Sequence, residues 1–274
     1  MKKSTLAKLE KLKVLLKRMG KVLVAYSGGL DSSFLLKFAS DTLGRDLVLA
    51  ITANSCTYPA SELKEAKSFT ERWRIKHLII KTHEEKNPLF IKNSSQRCYY
   101  CKKELFYRLK KIAKKYKIRY IIDGTNTDDT RDFRPGERAK KLYGVRSPLR
   151  EARITKEEIR YLSKKLNLST YNKPARACLA SRIPYGFEIK PEILKRIEKA
   201  EEFLNREGLS QVRVRDYGNL ARIEVDKKEF PKLIKKSSIL IKFFKRLGYI
   251  YITLDLEGYR PGSMNEVFKS KKGD

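Results

Sequence analysis

Two short segments of this chain carry residues whose types and spacing could do chemistry. The first is Ser27-Gly28-Gly29-Leu30-Asp31-Ser32, directly after the hydrophobic run Val22-Leu23-Val24-Ala25-Tyr26. Glycines let a backbone turn tightly and bring its N–H groups to a ligand, and a helix starting there adds the positive end of its dipole. Ser27 and Ser32 can donate hydroxyl hydrogen bonds, so the segment is expected to hold phosphates. Asp31 cannot favour a bare phosphate; its expected role is to hold Mg2+ or to orient the loop. An ordinary strand-to-helix turn would also be rich in small residues, but Ser-Gly-Gly-x-Asp-Ser after a strand is more specific than a lone Gly-Gly. No Gly-x-x-x-x-Gly-Lys-Ser/Thr occurs, so this is not a Walker loop.

The second segment is Cys98-Tyr99-Tyr100-Cys101, at the start of a predicted helix where the dipole favours thiolates. Cys178 lies in Ala177-Cys178-Leu179-Ala180-Ser181-Arg182, and Cys56 follows the second predicted strand. There is no apolar leader with a small-residue cleavage site, so metal binding or redox chemistry is favoured over structural disulfides. Three thiolates, Cys98, Cys101 and Cys178, could hold three corners of a 4Fe-4S cluster and leave one iron open. Structural zinc wants four ligands; Cys56 could supply the fourth, while His77 and His83 lack ligand-like spacing. Buried thiols with no shared role are the bland alternative.

The elements that must position these residues follow from apolar periodicity. Residues 4–19 read as an amphipathic helix with Leu6, Leu9, Leu12, Leu15 and Leu16 inward. Strands are expected at 22–26, 47–51, 77–80 and 120–122. Helices follow the Gly-rich turn, fill about 61–73, and begin at Cys98 with Leu105, Leu109, Ile112 and Tyr116 inward. Apolar strands alternating with helices imply an α/β fold, a parallel sheet covered on both faces. Asp123-Gly124-Thr125-Asn126 ends the fourth strand, at the sheet edge where ligands collect, and is expected to contact the nucleotide through Gly124 and Asn126. Asp128 and Asp129 are weaker metal candidates. Thr155-Lys156-Glu157-Glu158 is a capping box. Beyond it, a helix at 191–206, strands at 212–215, 221–225 and 249–254, and a helix at 236–247 make a small α+β domain. The expected domains are residues 1–182 for ATP and 183–274 for substrate and oligomerisation.

The chain has 274 residues and a formal net charge of +31. Two readings stand side by side: a polyanionic partner such as tRNA, or a charge-rich surface of the thermophile kind, with Gln reduced to Gln96 and Gln211. The basic residues spread over many helix faces rather than one stripe. No run approaches the roughly 18 apolar residues of a membrane span, so no membrane association is expected and the location is expected to be cytoplasmic.

The loop Ser27–Ser32 resembles the PP-loop of the ATP pyrophosphatases, which have an adenine nucleotide α-hydrolase-like fold. That resemblance implies cleavage of ATP between its α and β phosphates, adenylation of a carboxylate or carbonyl oxygen, and displacement of AMP by nitrogen or sulfur. A longer resemblance covers nearly the whole chain. Arg97-Cys98-Tyr99-Tyr100-Cys101-Lys102, Asp123-Gly124-Thr125-Asn126, Arg134-Pro135-Gly136, Ser147-Pro148-Leu149 and Ala177-Cys178-Leu179-Ala180-Ser181-Arg182-Ile183-Pro184-Tyr185-Gly186 run in one order. Their order is similar to that in the ATP-dependent sulfur transferases of the LarE family.

The resemblance implies a substrate, pyridinium-3,5-biscarboxylic acid mononucleotide. It implies as product a thiocarboxylate precursor of the nickel-pincer nucleotide cofactor of lactate racemase. Some members give up the sulfur of a single cysteine at the Cys178 position and end as dehydroalanine. With Cys98 and Cys101 added, this chain looks like the three-cysteine branch, in which a 4Fe-4S cluster accepts a replaceable sulfide. The implied cofactors are therefore ATP, Mg2+ and that cluster, with Cys178 and Asp31 as catalytic residues and a homo-oligomer as the assembly. Ser181, Arg182, Arg213, Arg215 and Arg260 match positions lining the family's substrate site, with Glu224 a weaker candidate. Arg213 and Arg215 alternate on a strand and share a face, and Arg182, Arg222 and Arg260 could complete an anion pocket. A tRNA-thiolating enzyme with a PP-loop and three cysteines is the main rival, and a nucleotide-binding regulator without turnover is the second.

Overall fold

The protein is described here from a computed structural model, which describes residues 3–131, 135–173 and 177–268. Arg134, part of one quoted motif, lies outside the described residues. In chain order the elements begin α1 (Lys3–Met19), β1 (Val22–Ala25), α2 (Leu30–Leu43), β2 (Val48–Asn54), α3 (Ala60–Arg72), β3 (Lys76–Lys81) and α4 (Pro88–Ile91). Next come α5 (Arg97–Lys115), β4 (Tyr120–Asp123), α6 (Gly136–Tyr143), α7 (Pro148–Glu151) and α8 (Lys156–Lys165). The last are α9 (Pro191–Arg206), β5 (Arg213–Asp216), β6 (Leu220–Glu224), α10 (Phe230–Lys235), α11 (Ser237–Arg246) and β7 (Tyr251–Leu254). None of the described helices is long and apolar enough to cross a membrane.

The chain divides into two compact units, Met1–Glu84 with Cys98–Arg176 and Glu85–Arg97 with Ala177–Asp274. The first unit holds a four-stranded sheet in the order β3-β2-β1-β4, and every pairing is parallel. Strand alternation sorts its residues onto two faces. Val22, Val24, Val48, Ala50 and Ile122 join one core with Phe34 and Leu35 of α2 and Ile159 of α8. Leu23, Leu49, Ile51 and Ile121 join the other, with Phe106 and Leu109 of α5. Both faces are covered, as continuous apolar strands require. From β1 the chain passes to β2 and β3 on one side and later to β4 on the other. The crevice at the strand ends opens where that order reverses, beside β1.

One expected inward residue points elsewhere. Leu6 is half exposed, because the first turn of α1 docks through polar groups instead. Thr5 is buried and its Oγ1 donates to Glu158 Oε1 at 3.0 Å, while Lys8 Nζ bonds both Glu158 oxygens at 2.9 Å. Glu158 also closes the predicted capping box with Thr155, so one carboxylate starts α8 and anchors α1.

The second unit has a three-stranded sheet, β5-β6-β7, with β5 and β6 antiparallel and β6 and β7 parallel. Its core joins Leu204 of α9, Val214, Ile223, Phe244 of α11 and Tyr249. Asn93 ties the 85–97 segment into this unit. It is fully buried; its Nδ2 donates to the carbonyls of Ile183, Pro184 and Phe187 at 3.3, 2.8 and 2.9 Å, and its Oδ1 accepts from Arg97 Nη1 at 2.6 Å. Its φ of +50° is in the left-handed region that Asn tolerates better than most residues. Asn93→Ala is expected to cost about 2 kcal/mol or more, since several buried polar groups lose their partner. Asn93→Gly keeps the backbone freedom and should be similarly destabilising; both show as a fall in thermal midpoint.

Candidate active site

The Ser27–Ser32 loop joins β1 to α2 and is held by a dense set of contacts. Gly28 has φ +64°, and a Cβ there would lie 3.1 Å from the Ala66 Cβ and 3.3 Å from the Tyr58 hydroxyl. Glycine is therefore needed for conformation and for space. Gly29 is the N-cap of α2, so the loop presents that helix's N-terminus to the crevice. Ser32 is buried; its Oγ accepts from the Ser27 amide at 3.2 Å and lies 3.0 Å from Ser27 Oγ. Tyr58 Oη donates to the Ser27 carbonyl at 2.7 Å, and Lys173 Nζ to the Gly28 carbonyl at 3.1 Å. Lys173 also pairs with Glu62 and Glu65 at 2.5 and 2.7 Å, which fixes the loop to α3.

The second loop, after β4, packs directly on the first. A Cβ at Gly124 would fall 2.7 Å from the Ser32 amide nitrogen and 2.9 Å from its Cα. Only glycine lets the two backbones meet. Asn126, fully buried, donates from Nδ2 to Asp31 Oδ1 at 3.2 Å, and its Oδ1 accepts from the Asp128 amide at 2.8 Å. Asp129 Oδ2 accepts from the Asn126 amide at 3.0 Å. Burial raises the Asp31 pKa, and the Asp129 charge adds to the rise, while Lys156 and Asn126 oppose it. Two carboxylates facing one crevice, with phosphates as further ligands, fit Mg2+, which takes few protein ligands. Asp128 instead accepts from the Lys156 amide at 2.7 Å and serves the start of α8.

Behind this loop sits a buried ionic cluster that sequence reasoning missed. Lys140 Nζ lies 3.0 Å from both Asp123 Oδ2 and Glu137 Oε1, and donates to Thr125 Oγ1 at 2.9 Å and Ser147 Oγ at 2.6 Å. Burial pushes the Asp123 pKa up, but Lys140 and Ser147 outweigh it and hold the carboxyl below its ordinary value. A lysine on α6 has no motif to announce it; its role exists only once α6 folds against β4.

These elements line a cleft of about 310 Å3, walled by Ser27, Gly29, Asp31, Ser32, Gly124 and Thr125 on the phosphate-loop side. Ile51, Thr52 and Ala53 at the end of β2, together with Glu84, form the far side. Cys101, Lys102 and Leu105 of α5 complete the wall. Cys98 is exposed and Cys101 half-buried, three residues apart in the first turns of α5. Among the described residues no three His, Cys, Asp or Glu side chains gather as metal ligands.

In the second unit, Cys178 is exposed and precedes a short 3-10 turn, Leu179–Arg182. That turn is held by Ser181 Oγ and Arg182 Nη1, which donate to the Cys178 carbonyl at 2.8 and 3.1 Å. Arg182 is buried and bidentate with Glu201 at 2.9 and 2.8 Å. Arg215 pairs bidentately with Glu224, at 2.9 and 2.6 Å, and donates to the Ser181 carbonyl at 3.1 Å. Arg213 is buried over the Tyr259 ring, and burial, with Arg182 nearby, pushes its pKa down. The structure thus brings Ser181, Arg182, Arg213 and Arg215 together around the Cys178 turn. Arg260 sits apart from that group's hydrogen bonds, paired with Glu257 at 2.7 Å and Glu266 at 3.2 Å, and Arg222 pairs with Glu224 and Asp255.

Comparison with known proteins agrees with this geometry. The NAD synthase family profile matches residues 5–121, the stretch from α1 through β4's Ile121. A pyridinium-3,5-bisthiocarboxylic acid mononucleotide synthase of Lactiplantibacillus plantarum is 36% identical over 92% of this chain and 91% of its own. The chain belongs to the LarE family of PP-loop proteins. Uncharacterized relatives are found in Synechocystis sp., 44% identical over 95% of this chain and 98% of theirs, and in Methanocaldococcus jannaschii, 36% identical over 93% and 98%. Membership of a LarE-type PP-loop family makes this an ATP-using enzyme.

Gly124→Ala is expected to weaken ATP binding at least tenfold by titration calorimetry, because the added methyl must displace the start of α2. Lys140→Met would leave Asp123 buried without its cation, at a cost of about 3–5 kcal/mol. The sign of the pH effect follows. In the native protein the depressed Asp123 contributes stability above its unfolded pKa, about 3.9, and that contribution is lost as pH falls through the lower folded value. Without Lys140, burial alone raises the folded pKa, so the Asp123 carboxylate destabilises the variant at neutral pH. Relative to the native protein, the variant's deficit should shrink as pH falls toward acid, measurable by urea unfolding at several pH values.

Proposed function

We propose that this enzyme adenylates a carboxylate of pyridinium-3,5-biscarboxylic acid mononucleotide and replaces its oxygen with sulfur, in the making of a nickel-pincer nucleotide. The observation that supports the reading is that Cys101 lines the same cleft as Ser27, Gly29, Asp31 and Ser32. A thiol in the cleft that would hold the activated substrate suits sulfur delivery better than nitrogen transfer. The name of the Lactiplantibacillus plantarum relative supports the same substrate class.

The chemistry needs activation because a carboxylate repels nucleophiles and loses oxide poorly. Attack of the carboxylate oxygen on the α-phosphorus forms an acyl adenylate and releases pyrophosphate; sulfur then attacks the acyl carbon and AMP departs. Charge builds up around the α-phosphate, and of the residues lining the cleft the amides of the α2 N-terminus and Lys102 would stabilise it, with Asp31 and Asp129 as the residues that would hold Mg2+. Substrate carboxylates and phosphate would be met by Ser181, Arg182, Arg213, Arg215 and Arg260. Of these, Arg213 has its pKa pushed down by burial and by the neighbouring Arg182, and an incoming anion would stabilise its charge.

In this reading Cys98, Cys101 and Cys178 would be the ligands of a 4Fe-4S cluster, three thiolates leaving one iron without a protein ligand. Such a cluster would supply a replaceable sulfide, with Cys178 the residue shared with the sacrificial chemistry. Pyrophosphate should appear from ATP only when the pyridinium dicarboxylate nucleotide is present, and its absence under those conditions would falsify the reading. Anaerobically reconstituted protein is expected to hold iron and sulfide, with iron lost in Cys98→Ala. Cys178→Ala is expected to abolish thiocarboxylate formation, followed by mass spectrometry, while pyrophosphate release persists.

A further inference from the structure

One buried acid in the cleft has no part in the chemistry above. Glu84 lies three residues past the end of β3 and is 2% exposed, yet it lines the nucleotide cleft. Its Oε1 is taken by Ser55 Oγ and, at 3.4 Å, by Thr57 Oγ1. Its Oε2 is buried and has no hydrogen-bond partner among the described residues. Buried carboxylate oxygens are rarely left without a donor, because the desolvation cost is then uncompensated. The arrangement is built rather than incidental. The Thr82 amide bonds to the Asn54 carbonyl at 3.4 Å, so β2 and β3 run on together just before Ser55 and Glu84 meet.

The place of Glu84 in the sheet tells which donor it awaits. It follows β3, and the phosphate loop follows β1, two strands away, a lateral separation of roughly 10 Å. Between them lie Ile51, Thr52 and Ala53 of β2, which line the cleft with small and apolar groups against which a base could pack. With phosphates on the Ser27–Ser32 loop, the ribose hydroxyls stay near the α-phosphate and the base reaches farther along the wall. Adenine carries one conventional N–H donor group on its base once the ribose is attached, the exocyclic amine. Oε2 is a single acceptor, since Oε1 is occupied.

We propose that Glu84 Oε2 accepts a hydrogen bond from the exocyclic amine of adenine, and that Ser55 and Thr57 hold the carboxylate for it. Glu84 is thus a specificity residue for the nucleotide, remote from the reacting phosphate. The inference rests on the ATP reading of this cleft.

The test is a cycle of binding measurements by calorimetry on the full chain. The nucleotides are ATP, purine riboside triphosphate, which lacks only the amine, and 2′-deoxy-ATP; the variant is Glu84→Met. The native protein should bind ATP about tenfold more tightly than purine riboside triphosphate. In Glu84→Met the two affinities should converge, with that for purine riboside triphosphate unchanged, which also shows that the cleft is intact. Equal affinities in the native protein overturn the proposal, and that measurement does not depend on the variant folding. So does a variant that weakens both nucleotides alike but is insensitive to loss of the 2′-hydroxyl, because Glu84 then serves the ribose. If the native protein binds none of the three, it is the nucleotide reading of the cleft that fails.

Discussion

The close approach of two backbones sets the geometry on which everything else depends. Gly124 lies against the first turn of α2 so tightly that a methyl group there would fall 2.7 Å from a backbone nitrogen. This contact ties the loop after β1 to the loop after β4, the two strands that meet side by side in parallel register. Because it is made by backbone, neither loop can shift without moving the other. Asn126 then reaches Asp31, and the helix N-terminus is fixed facing the crevice. These contacts set the position of the α2 N-terminus without a ligand, and preorganised donors of this kind are what electrostatic stabilisation requires.

Charge in this unit is arranged in layers. Closest to the cleft are Asp31 and Asp129, whose mutual repulsion and burial raise the proton affinity of Asp31 and make a cation welcome. One layer back, Lys140 neutralises Asp123 and Glu137 and is bonded to Thr125 and Ser147. On the other flank, Lys173 lies between Glu62, Glu65 and the Gly28 carbonyl. Lys140 and Lys173 thus each have two carboxylates around them, which offsets the cost of burying their charge. In the second unit the pattern changes: buried arginines crowd together, with Arg182 and Arg215 satisfied by Glu201 and Glu224. Burial, with Arg182 beside it, pushes the pKa of Arg213 down.

The cysteines divide between the two units. Cys101 lines the cleft of the first; Cys178 precedes a turn of the second, and its carbonyl accepts from Ser181 and Arg182. Those two residues therefore shape the cysteine's own backbone as well as standing among the expected substrate contacts. Sequence resemblance names them as ligand-binding positions, and their hydrogen bonds show a structural duty that a motif does not express.

The local signals in the sequence were strong where one interaction length decides the outcome. Helix α9 spans 191–206 as its periodicity indicates, the Thr155 capping box closes, and Gly28 in the Gly-Gly turn adopts the left-handed conformation that glycine allows. The parallel sheet and the phosphate loop could be read because alternation and Gly-Gly spacing are short-range properties. Other features are products of distant segments meeting. Leu6 faces solvent because Thr5 and Lys8 find Glu158 more than a hundred residues away. The 85–97 segment joins the C-terminal unit through Asn93, whose carbonyl partners lie some ninety positions on. Lys140, Lys173 and Glu84 have no motif, since what defines them is the burial and charge that surround them after folding. The sequence by itself determined the elements and the phosphate loop, through steric and periodic rules that act within a few residues. Only the tertiary structure decided which lone charges became a site, because electrostatics and desolvation depend on neighbours that the chain supplies from far away.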